Sequence, residues 1–121
     1  MKKEIIIDGE RYLHESEVKK AAPSKDGMPF CIVRTYSAGV FAGYIAKREG
    51  KEVTMRDAIR IWYWAGANSL SQLAVDGPLK PDECKFAIPV PEVLVTEAIE
   101  IIHCTAKAKE AIEGVPSWVM Q

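Results

Sequence analysis

The sequence is poor in the residues that build metal sites and disulfide frameworks. It has two histidines and three cysteines, and Cys31, Cys84 and Cys104 lie far apart with no Cys-x-x-Cys pair. An odd number of scattered thiols predicts reduced cysteines, and a metal site would need ligands from distant segments, so neither is expected. Long apolar runs are missing too. The longest uncharged stretch, Ile61 to Val75, contains Gly66, Asn68, Ser69, Ser71 and Gln72, too short and too polar to span a bilayer. The start, Met1-Lys2-Lys3-Glu4-Ile5-Ile6-Ile7-Asp8, lacks the continuous apolar segment of an export signal, so a cytosolic protein is expected. No glycine-rich phosphate loop of the P-loop or dinucleotide type occurs.

Net charge is also nearly absent, at −1. It is unevenly spread: residues 1–60 carry 12 basic and 9 acidic side chains, and residues 61–121 carry 4 and 8. Chance scatter explains such a split, and so does a locally basic face suited to a small anion. A duplex nucleic acid would ask for a stronger basic excess. At 121 residues and 48% hydrophobic, the chain is long and apolar enough for one folded domain, and disorder is not expected. No linker, repeat or low-complexity stretch divides it, so residues 1–121 are expected to form a single ligand-binding domain.

What is present reads as an α+β chain with a β-rich antiparallel core, a short middle helix and a C-terminal helix. Ile5 to Leu13 predicts a hairpin around Asp8-Gly9, and Glu15 to Ala22 a turn or two of helix stopped by Pro23. Phe30 to Tyr36, Val40 to Ala46 and Glu52 to Met55 predict a β-meander with turns at Ser37-Ala38-Gly39 and Arg48-Glu49-Gly50-Lys51. Ala58 to Trp64 alternates Ile59, Ile61 and Tyr63 with Arg60, Trp62 and Trp64, predicting a strand with one aliphatic and one Arg/Trp face. Asn68 or Ser69 is placed to cap a helix through Leu70, Leu73 and Ala74, ending at Asp76-Gly77-Pro78. Phe86 to Ile88 and Val93 to Ile102 predict further strands. Thr105 caps a helix over Ala106 to Glu113 that Gly114 ends. The apolar tail from Val115 to Met120 either packs back on the body or meets another subunit.

Two constellations could carry chemistry. In the first, Arg56, Arg60, Trp62 and Trp64 precede the Gly66 to Ser69 turn, with strand residues of one face roughly 7 Å apart. Guanidinium groups fork onto phosphate oxygens, indoles stack on bases, and a capped helix start offers N–H groups to an anion. The same aromatics would serve equally as core. The second, Arg34-Thr35-Tyr36-Ser37-Ala38-Gly39, is either a ligand contact or an ordinary hairpin tip. Catalysis has little support. His103 and Cys104 are adjacent on a strand and so point to opposite faces, and Asp57 has no partner base.

Three blocks resemble a family of small phage proteins, the first type of Thoeris anti-defence protein. They are Val33-Arg34-Thr35-Tyr36-Ser37-Ala38-Gly39-Val40; Arg60-Ile61-Trp62-Tyr63-Trp64-Ala65-Gly66-Ala67 with Ser69-Leu70-Ser71-Gln72-Leu73-Ala74; and Glu97-Ala98-Ile99-Glu100-Ile101-Ile102 with Cys104-Thr105. One position departs, since the family is associated with proline where this chain has His103, and no role is placed on that histidine. The resemblance implies a sponge, which binds a cyclic ADP-ribose isomer made by a bacterial TIR-domain enzyme and holds it uncleaved. It also implies a homodimer or trimer of dimers with a pocket between subunits, action in the cytoplasm of the infected host, and in some members separate sites for cyclic oligonucleotides. No cofactor, membrane or duplex nucleic acid is implied. Where these blocks and the chemistry agree, the expected ligand-binding residues are Arg34, Tyr36, Arg56, Arg60, Trp62, Trp64, Asn68, Ser69 and Gln72. A small phosphodiesterase-like enzyme and a phage protein-interaction module are the alternatives.

Overall fold

The computed structural model describes residues 20–120. The expected hairpin over residues 5–13 and most of the helical turn over 15–22 lie outside them; Ala21, at the end of that turn, makes an antiparallel bridge to Thr105. Strands β1 (Phe30–Thr35), β2 (Val40–Glu49) and β3 (Glu52–Tyr63) form the antiparallel meander. Helix α1 (Leu70–Asp76) and a 3-10 turn over Pro81–Glu83 lead to β4 (Lys85–Phe86), β5 (Val90–Val95), β6 (Ala98–His103) and helix α2 (Ala106–Glu113). The fold is α+β, with an antiparallel sheet, a short middle helix and a C-terminal helix. Among the described residues, no helix is long and apolar enough to cross a membrane.

The sheet order is β4-β3-β2-β1-β6, and β5 also pairs with β3. Strands β5 and β6 are joined only by Thr96 and Glu97, yet they pair at opposite ends of the β3-β2-β1 unit. A two-residue connection cannot cross a flat three-stranded sheet, so the sheet must coil on itself. The Ala98 N–H donates to the Lys51 carbonyl at 3.0 Å, which seats the β5–β6 corner against the β2–β3 turn.

Alternation gives each sheet face its own core. On one face Phe30, Ile32, Ala42, Tyr44, Ile59 and Ile61 pack against Leu73 and Ala74 of α1 and Ala108 and Ile112 of α2. Inside the coil, Val33, Phe41, Val53, Met55, Ala58, Val95 and Ala98 form the second cluster. Each large side chain removed from water here contributes about 1.5–3 kcal/mol.

Two sequence-expected strands, Glu52 to Met55 and Ala58 to Trp64, are one continuous β3. A bulge separates them: the register slips between Ala42 and Tyr44 of β2, and Asp57 has φ 51. Val53 and Met55 face the coil before the bulge, whereas Ile59 and Ile61 face the helices after it. The extra residue shifts the side-chain phase by one, which breaks the alternation in the sequence. Asp57 tolerates the left-handed conformation better than most residues, and its carboxylate meets the Lys25 ammonium at 3.0 Å.

Gly43 lies opposite the bulge. A Cβ there would come within 2.9 Å of Ala58 Cα and 3.0 Å of the Arg56 carbonyl oxygen. Gly43→Ala is therefore expected to destabilise the fold by about 1–3 kcal/mol, more than the roughly 0.5–1 kcal/mol gained by restricting the unfolded chain. A denaturant midpoint equal to wild type would show that the bulge yields freely.

The helix caps fall where the sequence places them. Ser69 Oγ accepts from the Gln72 N–H at 3.1 Å, and Thr105 Oγ1 accepts from the Ala108 N–H at 3.0 Å. Thr105 also donates to the Val75 carbonyl at 2.6 Å, tying the end of α1 to the start of α2. The tail packs back on the body: Ser117 bridges Phe86, and the Trp118 N–H donates to the Phe86 carbonyl at 2.8 Å.

Candidate functional site

Strand pairing decides which of the expected ligand residues meet, because directly opposed residues share a face. Arg60 lies opposite Phe41, which belongs to the coil cluster, whereas Arg56 lies opposite Tyr44, which belongs to the helix-side cluster. The bulge at Asp57 thus sends these two arginines to opposite faces. Arg56 is held by Glu92, directly across from it on β5, with Nε 2.7 Å from Oε1. Arg34 sits opposite Val40, a residue packed on the helix-side cluster, and approaches Glu100 at 3.7 Å.

Tyr36 is 76% exposed, and its N–H donates to the Glu97 carbonyl at 2.9 Å. The turn beside it is closed by buried Thr35, whose Oγ1 donates to the Gly39 carbonyl at 2.7 Å and accepts from the Ala38 N–H at 2.8 Å. The hydrogen bonding here is that of a hairpin tip.

Trp64 departs from the expected Arg/Trp face. Strand β3 ends at Tyr63, so Tyr63 is exposed and Trp64 turns inward, half-buried on the helix-side core with Nε1–H donating to the Ala67 carbonyl at 3.2 Å. At the start of α1 the polar groups satisfy one another. Gln72 Oε1 accepts from the Asn68 N–H at 2.8 Å, and Ser69 Oγ donates to Asn68 Oδ1 at 2.9 Å. These three side chains form a reciprocal cap, with the Gln72 side chain reaching one residue before the cap itself.

Arg60 and Trp62 remain on the Phe41 side of β3. Arg60 lies over the Phe41 ring, its guanidinium carbon 4.7 Å from the centroid. It enters a cleft of about 230 Å³ whose floor is Phe41 and Ala58 and whose far wall is Ala87, Ile88, Val90 and Val93. Among the described residues that line it, Arg60 is the one with a charged side chain. Trp62, 63% exposed, stacks on Trp118 at 5.3 Å between ring centroids and 27° between planes. The Lys85 ammonium lies 5.2 Å from the Trp62 ring and 5.1 Å from that of Trp118.

The cleft's walls carry only a weak signal in the sequence. Phe41 was visible in the β2 alternation, facing away from Val40 and Ala42. The exposed apolar Ile88 and Val90 flank Pro89, a pattern that marks an interrupted strand edge. A cleft of this kind can take a flat ring against its apolar walls and a phosphate or carboxylate on the guanidinium.

The thiols belong to the scaffold. Burial pushes Cys31 up to about 11. Burial, helped by the neighbouring Cys31, pushes Cys104 up to about 12 against an opposing backbone hydrogen bond from Ile32. Both groups hold their protons in the folded state more tightly than in the unfolded chain. Below about pH 8.5 the two states bind these protons equally; above it the unfolded state loses them first, and stability falls. Stability is expected to fall between pH 9 and 11, by roughly 2 kcal/mol per thiol at pH 10, and the melting midpoint to fall with it. A Cys31→Ala/Cys104→Ala variant should show a shallower fall, and an identical slope would contradict the assignment. His103 is exposed while Cys104 is buried, so the adjacent pair does point apart. Among the described residues, no group of three His, Cys, Asp or Glu side chains is placed to hold a metal ion.

The fold and the cleft define a small α+β domain whose coiled sheet carries an apolar recess with the Arg60 guanidinium at its edge. Residues 28–112 match the family described as a domain of unknown function, DUF6948, and the chain belongs to that family. No curated protein and no solved structure matches the chain.

Proposed function

We propose that the protein is a non-catalytic binder of a small phosphate-bearing nucleotide, a cyclic ADP-ribose isomer made by a bacterial TIR-domain enzyme. It sequesters this signal uncleaved in the cytoplasm of an infected host, as the resemblance to the first type of Thoeris anti-defence protein implies. The observation that carries the reading is the Arg60 cleft, where one guanidinium borders an otherwise apolar recess. A pyrophosphate would bond the Arg60 fork, and the adenine would lie on the apolar walls, with Trp62 beside the cleft on the same strand.

The cleft is small for a nucleotide. Pockets for small molecules generally enclose about 300–1,000 Å³. The single-chain cleft, at about 230 Å³, falls short of that range. A second copy closing over it would add a wall and exclude water, and the resemblance implies a homodimer or a trimer of dimers as the working unit. Competing with a defence effector asks for nanomolar affinity, about −12 kcal/mol, which a closed site reaches more readily than an open groove.

Equilibrium dialysis tests the reading. Protein at low micromolar concentration should deplete a sub-stoichiometric cyclic ADP-ribose isomer from the opposite chamber. No depletion across several cyclic ADP-ribose isomers would sink the sponge and favour the protein-interaction module.

A further inference from the structure

The wall of the cleft is held by a segment that does not line it. Ala87 and Ile88 follow β4, which has only two residues and pairs with β3 at two positions, Phe86 with Ile61 and Lys85 with Tyr63. Two residues are fewer than a strand normally needs to hold its place. The C-terminal segment supplies the remaining support on the other side of β4: Ser117 bridges Phe86 in parallel, and the Trp118 N–H donates to the Phe86 carbonyl at 2.8 Å. The indole of Trp118 then locks onto Trp62, with the Lys85 ammonium over both rings. One residue after Phe86, the Ala87 N–H donates to the Arg60 carbonyl at 2.9 Å. A short hydrogen-bonded path therefore runs from Trp118 through β4 to the backbone of the arginine that borders the cleft.

We propose that residues 115–120 act as a positioning strap for the Arg60 cleft, and that Trp118 sets how firmly its Ala87–Ile88 wall is held against a bound anionic, ring-bearing ligand. This rests on the cleft being the ligand site, and it adds a control point outside that site. Trp118 is a positioning residue. It is 55% exposed, and the latch that Trp118→Ala removes is the indole stack on Trp62 under Lys85, while the backbone bond to Phe86 and the core stay in place. Releasing the latch lets β4 peel from β3, and the wall moves away from Phe41 and Arg60.

Trp118→Ala and Trp118→Phe test this by amide exchange at Ala87, with central strand β1 as the internal reference, and by the dissociation constant for a cyclic ADP-ribose isomer. In Trp118→Ala, exchange at Ala87 should be about tenfold faster and binding about tenfold weaker, with β1 protection unchanged. Trp118→Phe, which keeps a stacking ring, should restore most of both. Unchanged exchange at Ala87 would overturn the strap, and so would faster exchange with unchanged binding. Wild-type protein that takes up no cyclic ADP-ribose contradicts the functional reading alone. Exchange at Ala87 then decides the strap, with acceleration sustaining it and no change overturning it.

Discussion

Arg60→Ala is expected to abolish retention of a cyclic ADP-ribose isomer while leaving the fold and the assembly intact. The guanidinium is exposed and rests on Phe41, whereas the strand's pairing uses the Arg60 backbone, which alanine keeps. Losing a charge-assisted contact to a phosphate costs about 3 kcal/mol, roughly a hundredfold in affinity. That would move a nanomolar complex to one that empties during gel filtration. Arg60→Lys should recover only part of the loss, because an ammonium cannot fork onto two phosphate oxygens. Retention unchanged in Arg60→Ala would place the site elsewhere even if the protein is a sponge.

Gly66→Ala is expected to cause the largest loss of stability of any single glycine-to-alanine change considered. Gly66 has φ 85, and a Cβ would fall 2.5 Å from both the Leu79 and Lys80 nitrogens. These are backbone atoms and cannot rotate away, and the Gly66 carbonyl already accepts from the Leu79 N–H at 3.2 Å. The left-handed conformation costs alanine about 1–2 kcal/mol, and the clash raises the total to about 3 kcal/mol or more. A fall in melting midpoint of about 10 °C or more is expected. Gly50→Ala is the matched control, with φ 60 and nothing within 4 Å of the added carbon, so it bears the conformational cost alone. Equal losses in the two variants would show that the contact between the 66 and 79–80 segments is not rigid.

The meander was legible because its causes are local. β-branched and aromatic runs alternate with glycine-bearing turns at Gly39 and Gly50, and Ser69 and Thr105 stand one residue ahead of their helices. The bulge was not legible. An aspartate in the left-handed region looks in sequence like the end of a strand, and its effect is to change the phase of everything after it. That phase change separates Arg56 from Arg60, which the sequence groups only by their closeness along the chain. Trp64 failed for another reason: the period of two holds only while the strand lasts, and β3 stops at Tyr63. Asn68 and Ser69 stand at the expected helix start, and the Gln72 side chain, expected among the ligand contacts, joins them in the cap. The coiling of the sheet and the cleft depend on long-range pairing of β5 with β3 and of β6 with β1. No local pattern encodes those pairings. The same holds for Trp62 and Trp118, which stack only because β4 carries the tail back across the sheet.

The most direct test of sequestration is the fate of the ligand. Protein in excess is incubated with a cyclic ADP-ribose isomer, freed of unbound ligand, and heat-denatured, and the released material is identified by chromatography and mass spectrometry. One intact ligand species is expected, recovered in proportion to the protein sites. Cleaved products that accumulate beyond the number of sites would contradict sequestration and mark the protein as an enzyme acting on the same molecule.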